Sequence, residues 1–291
     1  MKKVGGSIRS AVRFAGLAVL AVALLAGSQA QVREPFRWLL PWKAMFEGVE
    51  LAVLDADQPR RMRGYAVRID LHDPGISFLA TPDNGDRPGH TDGLKTSTFL
   101  SRYGCQVAIN AAPFSPVVNE EGQGHEISGL TVSRGRLVSP HKQNFPALVI
   151  RQGNRVEIGR GPFELADVAN AVAGFHIVLE QGKVVAGGRD IHPRTAAGVS
   201  ADGRWLVLLV IDGRQPGYSL GATTAEVGEW LLALGAWNGI NLDGGGTSTL
   251  VLEGSDGRAE VVNRPIHAGI PGLERVSASH LGVFARRLQQ P

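Results

Sequence analysis

The stretch Asn241-Leu242-Asp243-Gly244-Gly245-Gly246-Thr247-Ser248-Thr249 gathers groups that can do chemistry. An apolar run delivers a carboxylate, and glycines follow it at once. Glycine has no Cβ, so the backbone there can turn sharply and a ligand can come close. Successive N–H groups in such a turn can form a concave anion site, and the hydroxyls of Thr247 and Ser248 add donors. Asp243, at the end of a buried strand, suits a nucleophile, a general base or an acceptor for a sugar hydroxyl. The bland alternative is a hairpin whose Asp bonds only its own turn.

The run Asp212-Gly213-Arg214-Gln215-Pro216-Gly217-Tyr218-Ser219-Leu220-Gly221 repeats this arrangement after the apolar segment Trp205 to Ile211. Arg214 can pair with Asp212 or hold a phosphate through its planar fork. His192-Pro193-Arg194-Thr195 offers a second cation just before a strand, and Asn110-Ala111-Ala112-Pro113-Phe114 ends another strand in a neutral hydrogen-bonding group. Asn263-Arg264-Pro265 is a weaker signal of the same kind. Cys105 is the sole cysteine. It excludes an internal disulfide and a thiolate zinc site by count, and its apolar flanks predict a small core residue. His125, His176 and His280 have no mutual metal spacing. No metal site and no cofactor are expected, with a divalent cation left open.

These groups need a frame. Alternating or apolar runs predict strands over Val49 to Leu54, Tyr65 to Leu71, Ile76 to Ala80, Cys105 to Ile109, Thr195 to Val199, Trp205 to Ile211, Gly239 to Leu242, Ser248 to Leu252 and Leu281 to Ala285. Hairpins are expected about Arg134-Gly135 and Gln181-Gly182, and between Pro146 to Arg151 and Arg155 to Ile158. Thr96 to Arg102 reads as a helix. Thr224 to Leu234 reads as a stronger one, with an N-cap at Thr223 or Thr224 and Gly235 at its end. The expected fold is α+β, a largely antiparallel mixed sheet with few helices, in a single domain over residues 45 to 288.

Ahead of it, Lys2, Lys3, Arg9 and Arg13 precede an apolar run from Phe14 to Gly27 and the small residues Ser28-Gln29-Ala30. This layout predicts a signal peptide over residues 1 to 30, a leader over 31 to 44, a periplasmic or secreted location, and no stable membrane span after cleavage. Residues 1 to 30 carry four basic and no acidic side chains, so cleavage takes the formal net charge from +3 to −1. Nucleic acid is not an expected partner on that charge.

Taken in order, Asn110 to Phe114, Arg194-Thr195-Ala196-Ala197-Gly198-Val199, Asp212-Gly213-Arg214 with Gly217-Tyr218-Ser219, Asn241 to Gly246, Asn263-Arg264-Pro265 and Leu281-Gly282-Val283-Phe284 resemble the phosphodiester glycosidase domain. Its best-known member is the mannose-6-phosphate uncovering enzyme, N-acetylglucosamine-1-phosphodiester alpha-N-acetylglucosaminidase. Many members have glycines where this chain has Ala111 and Ala112, and an aromatic where it has Pro113. The resemblance implies hydrolysis at the glycosidic carbon of a sugar-1-phosphodiester, with a phosphate-linked glycan as partner. Asp243 and Asp212 are then the catalytic candidates. Arg194, Arg214, Asn110, Asn241, Gly244, Gly245, Gly246, Thr247 and Ser248 are the substrate-binding candidates. Two other readings remain: an envelope polysaccharide-binding or assembly protein that keeps the pocket without catalysis, and metal-assisted cleavage of the P–O bond. N-terminal sequencing of the exported chain checks the targeting expectation: it should begin near Gln31, and an intact Met1 in the soluble envelope fraction would refute cleavage.

Overall fold

The computed structural model describes residues 34–289, and the expected signal peptide lies outside them. The segment Trp205–Ile211 is apolar at every position because both of its faces are buried. Leu206, Leu208 and Val210 enter one core, while Val207, Leu209 and Ile211 enter another. It lies inside an eight-stranded sheet. The order across that sheet is Arg37–Phe46, Val49–Ala56, Met62–Asp70, Trp205–Ile211, Arg194–Val199, Asn238–Asn241, His176–Glu180 and Lys183–Val184. A five-stranded sheet contains Ala259–Val261, Leu250–Glu253, Val107–Asn110, His280–Phe284 and Ser77–Ala80. Another five-stranded sheet is built on Val168–Ala173 and Ala147–Arg151. The pairings within all three are antiparallel. The expected α+β class is observed, with the strands divided among several sheets. The three sheets share one apolar core, to which Val67 and Leu208, Ile109 and Leu252, and Leu148 and Val172 contribute.

Helix Thr224–Ala233 covers the other face of the large sheet. Thr223 and Glu226 close a capping box at its start, which satisfies otherwise orphan N–H groups. Its Trp230 is fully buried and lies across Gly64, where a Cβ would stand 2.2 Å from the ring. Helix Thr96–Tyr103 packs Phe99 and Leu100 against the second sheet beside Cys105. Burial pushes the Cys105 thiol up to about 12, so it is an inert core group. Among the described residues, no helix is long and apolar enough to cross a membrane.

Of the strands that were not expected, Arg37–Phe46 and Val168–Ala173 are the longest. Arg37–Phe46 is the edge of the large sheet, so the sheet begins inside the segment expected to be a leader. Its edge position tolerates Pro41. Val168–Ala173 centres on the buried Asn170, whose amide oxygen accepts from the N–H groups of Ala80 at 3.0 Å and Arg134 at 3.2 Å.

Register decides what meets at the site. Arg194 lies opposite Ile211, and Ala196 lies opposite Asn241 on its other side. Arg194, Asp212 and the 241–243 segment therefore arrive at one edge of three adjacent strands. The chain then crosses from the large sheet to the second sheet between Asn241 and Leu250.

Candidate active site

Asp243 sits in that crossing and is held by its backbone. Its N–H donates to the Ala111 carbonyl at 2.7 Å, and its carbonyl accepts from Asn110 Nδ2 at 2.7 Å. The partly buried carboxylate accepts from Thr247 Oγ1 at 2.7 Å, and Arg275 stands 3.6 Å away. Burial pushes the Asp243 pKa up, and the Thr247 hydrogen bond and the Arg275 charge pull it back. The following turn needs its glycines. Gly245 has φ +65°, and a Cβ on Gly244 would lie 2.9 Å from the Pro193 carbonyl. Gly245 donates to that carbonyl at 2.9 Å. One N–H of the expected anion nest is thus spent in fastening the turn to the Arg194 strand.

The turn borders a cleft of about 210 Å³ that Asp243, Asn241, Phe175, His192, Arg194, Arg214 and Arg275 also line. Arg194 donates to the carbonyls of Ala222, at 2.9 Å, and Asp190. Arg214 is exposed, and its guanidinium meets His192 Nδ1 at 3.2 Å. An acceptor at Nδ1 puts the ring proton on Nε2. Burial, then Arg214 and Arg194, lower the His192 pKa, so the ring is neutral at pH 7. Arg275 packs over Gly246, and its buried Nε has no partner. Arg194 and Arg214 have no carboxylate within ion-pair distance among the described residues, and Arg275 has only Asp243. Many other arginines are closely paired, as in Arg204 with Asp70 at 2.8 Å and Arg287 with Glu253 at 2.6 Å. The cleft therefore carries uncompensated positive charge and suits an anion. The buried amide oxygen of Asn241 is also without a partner. A second cavity, of about 440 Å³, shares His192 and Arg194 as walls and extends along Ile177, Val185, Gly187 and Asp190.

Asp243, Asn241, Arg194, Arg214 and Gly244, Gly245 and Gly246, all candidates read from the sequence, line one cleft. The other candidates lie behind it. Asp212 is 1% exposed. Its carboxylate accepts from Asn263 Nδ2 at 2.7 Å, the Arg264 N–H at 2.9 Å and the Tyr218 hydroxyl at 3.1 Å. It braces the 263–264 segment and does not pair with Arg214. Asn110 is fully buried. Its amide oxygen accepts from Thr195 Oγ1 at 2.8 Å and the Thr249 N–H at 3.1 Å, so it has no oxygen free for substrate. Buried Thr247 orients Asp243, and buried Ser248 lies behind the turn. His192, Phe175 and Arg275 complete the cleft. His192 stands in the Pro193-Arg194 run, whereas Arg275 has no motif around it. Among the described residues, no group of His, Cys, Asp and Glu gathers as a metal site would require.

The profile of the phosphodiester glycosidase family matches residues 103–284, and the chain belongs to that family. A search of curated proteins finds no match. Among solved structures, the catalytic domain of zebrafish N-acetylglucosamine-1-phosphodiester alpha-N-acetylglucosaminidase, auto-inhibited by its pro-peptide, is similar with a TM-score of 0.63. Identity is 22%, over 82% of this chain and 83% of that one. A hypothetical protein from Synechocystis gives a TM-score of 0.65 at 16% identity over 82% of this chain, which spans only 62% of that protein. A proposed exported protein from Burkholderia pseudomallei gives 0.53 at 17% identity, over 77% of this chain and 74% of that one. These likenesses establish a shared fold.

The placement of Asp212 has a pH signature. Burial pushes its pKa up to about 6, against its three donors. The folded state then binds more protons than the unfolded chain, so this group's stabilisation is complete below the ordinary carboxylate range and is lost as pH rises through about 6. Melting curves of the wild type and Asp212→Asn from pH 4 to 8 isolate the effect. Their difference should change most between about pH 4 and pH 6 and level off above that, and a constant difference would contradict the assignment.

Proposed function

We propose that the protein is an exported hydrolase that cleaves the glycosidic bond of a sugar-1-phosphodiester, releasing a sugar and a phosphomonoester. One observation carries the reading: a single carboxylate, Asp243, faces a cleft with the guanidiniums of Arg194, Arg214 and Arg275, none of which it engages in a hydrogen bond. Membership of the phosphodiester glycosidase family supports it. So does the fold shared with an enzyme named for acting on an N-acetylglucosamine-1-phosphodiester. Export rests on the basic, apolar and small-residue succession over residues 1 to 30. The corresponding substrate is a phosphate-linked glycan of the periplasm or exopolysaccharide.

The chemistry follows from the leaving group. A phosphate departs from the anomeric carbon as a weakly basic anion, so it needs less proton donation than an ordinary glycoside does. It needs positive charge where the bridging oxygen gathers electrons, and the arginines supply that charge. Asp243 serves the oxocarbenium-like carbon, as nucleophile or as base toward water. Thr247 fixes its direction. The free amide oxygen of Asn241 accepts a hydrogen bond from a sugar hydroxyl. Asp212 supports the strand end and takes no part in bond breaking.

The test is turnover of aryl and nucleotide-linked sugar phosphodiesters with product analysis, on wild type and variants. Asp243→Asn should lower kcat by at least about a hundredfold with melting preserved, in line with loss of one well-placed charged group. Arg275→Gln removes a cation that favours ionised Asp243, so the acid limb of its rate profile should move to higher pH. Near-normal kcat in Asp243→Asn would remove the residue from catalysis. Binding without turnover would leave an envelope glycan-binding protein.

A further inference from the structure

The cleft places the cations of Arg194, Arg214 and Arg275 against one carboxylate, Asp243, with His192 neutral between two of them. Two of these arginines reach no carboxylate among the described residues, and the third stands 3.6 Å from Asp243. Arg194 is fastened to the carbonyls of Ala222 and Asp190, which fix its plane, while the Asp190 carboxylate acts on it from the adjoining cavity without closing an ion pair. Arg275 keeps a buried Nε–H with no acceptor. With Asp243 ionised, the residues that line the cleft carry a formal excess of two positive charges, three guanidiniums against one carboxylate, and Asp190 beyond the lining offsets part of it at Arg194. A phosphodiester brings one negative charge and leaves half of that excess unmatched.

Resting on the hydrolase reading above, we propose that this cleft holds the phosphomonoester product more tightly than the diester substrate, so that product retention governs its turnover. In the reaction, the anomeric carbon loses its bond to the bridging oxygen, which leaves on phosphorus with the bonding pair. The oxygen of water takes its place on carbon. One proton of that water stays with the sugar hydroxyl and the other ends on the phosphate, giving a monoanionic monoester. That monoester ionises again near pH 6, becoming a dianion that matches the excess charge. The gain is electrostatic and arises in a recessed site, where charge-assisted hydrogen bonds are strong. The sequence of reactions follows from it. Sustained flux above pH 6 needs a partner reaction that consumes phosphomonoesters, either a phosphatase-type hydrolysis or a transfer of the phosphorylated group.

Calorimetric titration of the whole chain with methyl phosphate and dimethyl phosphate tests this without any turnover. At pH 8, methyl phosphate should bind at least about tenfold more tightly, as one added charge-assisted contact gives. At pH 5 the two should bind within a factor of about two, because both are then monoanions. Arg275→Gln and Arg214→Gln, each checked for unchanged melting, should shrink the ratio at pH 8. Equal affinities at pH 8, or a ratio that does not change between pH 5 and 8, would overturn the proposal. Turnover of a sugar phosphodiester on the same preparation separates the two ideas. Turnover without discrimination removes product retention alone. Discrimination without turnover removes the hydrolase reading and leaves the charge preference of the cleft standing.

Discussion

The side chain of Asn110 joins the two sheets that make the cleft. It belongs to a strand of the second sheet, yet its amide oxygen accepts from Thr195 of the large sheet, and its amide nitrogen donates to the Asp243 carbonyl and to Thr247. The same oxygen accepts from the Thr249 N–H, where the crossing segment enters the second sheet. One buried amide thus fixes the backbone before and after the glycine turn. Asp243 inherits its position from this node. A cleft carboxylate carried on a sheet-to-sheet crossing would otherwise move with a loop, and in the proposed reaction a displacement of an ångström would cost much of the rate. The Cβ-free turn lets the crossing come close to the Pro193 carbonyl, so both sides of the cleft are tied to one rigid frame.

Charge at the cleft is arranged differently from that at many surface arginines. Many surface arginines close on carboxylates, as Arg151 does on Glu157 at 2.6 Å. At the cleft, guanidiniums are steered by carbonyls, by an imidazole and by packing over glycine. Cations held together without counter-charge weaken the folded state through mutual repulsion and desolvation. The burial that lowers the pKa of both Arg194 and Arg275 is the local sign of that cost. A bound anion relieves it. The buried Asp212 follows the same economy in reverse: it carries a charge away from solvent, but three donors surround it and it anchors the segment that follows the second sheet's edge.

Much of the frame was legible in the sequence, because strands such as Trp205–Ile211 and the Thr224–Ala233 helix carry strong patterns and caps. Arg37–Phe46 escaped because its pairing with Val49–Ala56 shifts register at three places, and each shift resets the alternation that marks a strand. Val168–Ala173 escaped because three of its six residues are alanine and its centre is a buried Asn. The lining of the candidate cleft was legible where chemistry and chain continuity coincide, at Asn241 to Gly246 and at Arg194. It was not legible where direction matters. Nothing local to Asp212 says that it faces Asn263, 51 residues on, or that Asn110 turns inward. Arg275 reaches the cleft only through tertiary packing against Gly246.

The central claim is that the bond broken lies between the sugar carbon and oxygen, with the arginines stabilising phosphate as it leaves. Hydrolysis of a sugar-1-phosphodiester in water enriched in heavy oxygen, followed by mass analysis of the phosphomonoester, tests it most directly. Attack at the anomeric carbon leaves the phosphate unlabelled, since its bridging oxygen departs with phosphorus. Incorporation of heavy oxygen into the phosphomonoester would mean attack at phosphorus, and would contradict the assignment of Asp243 and of the arginines alike.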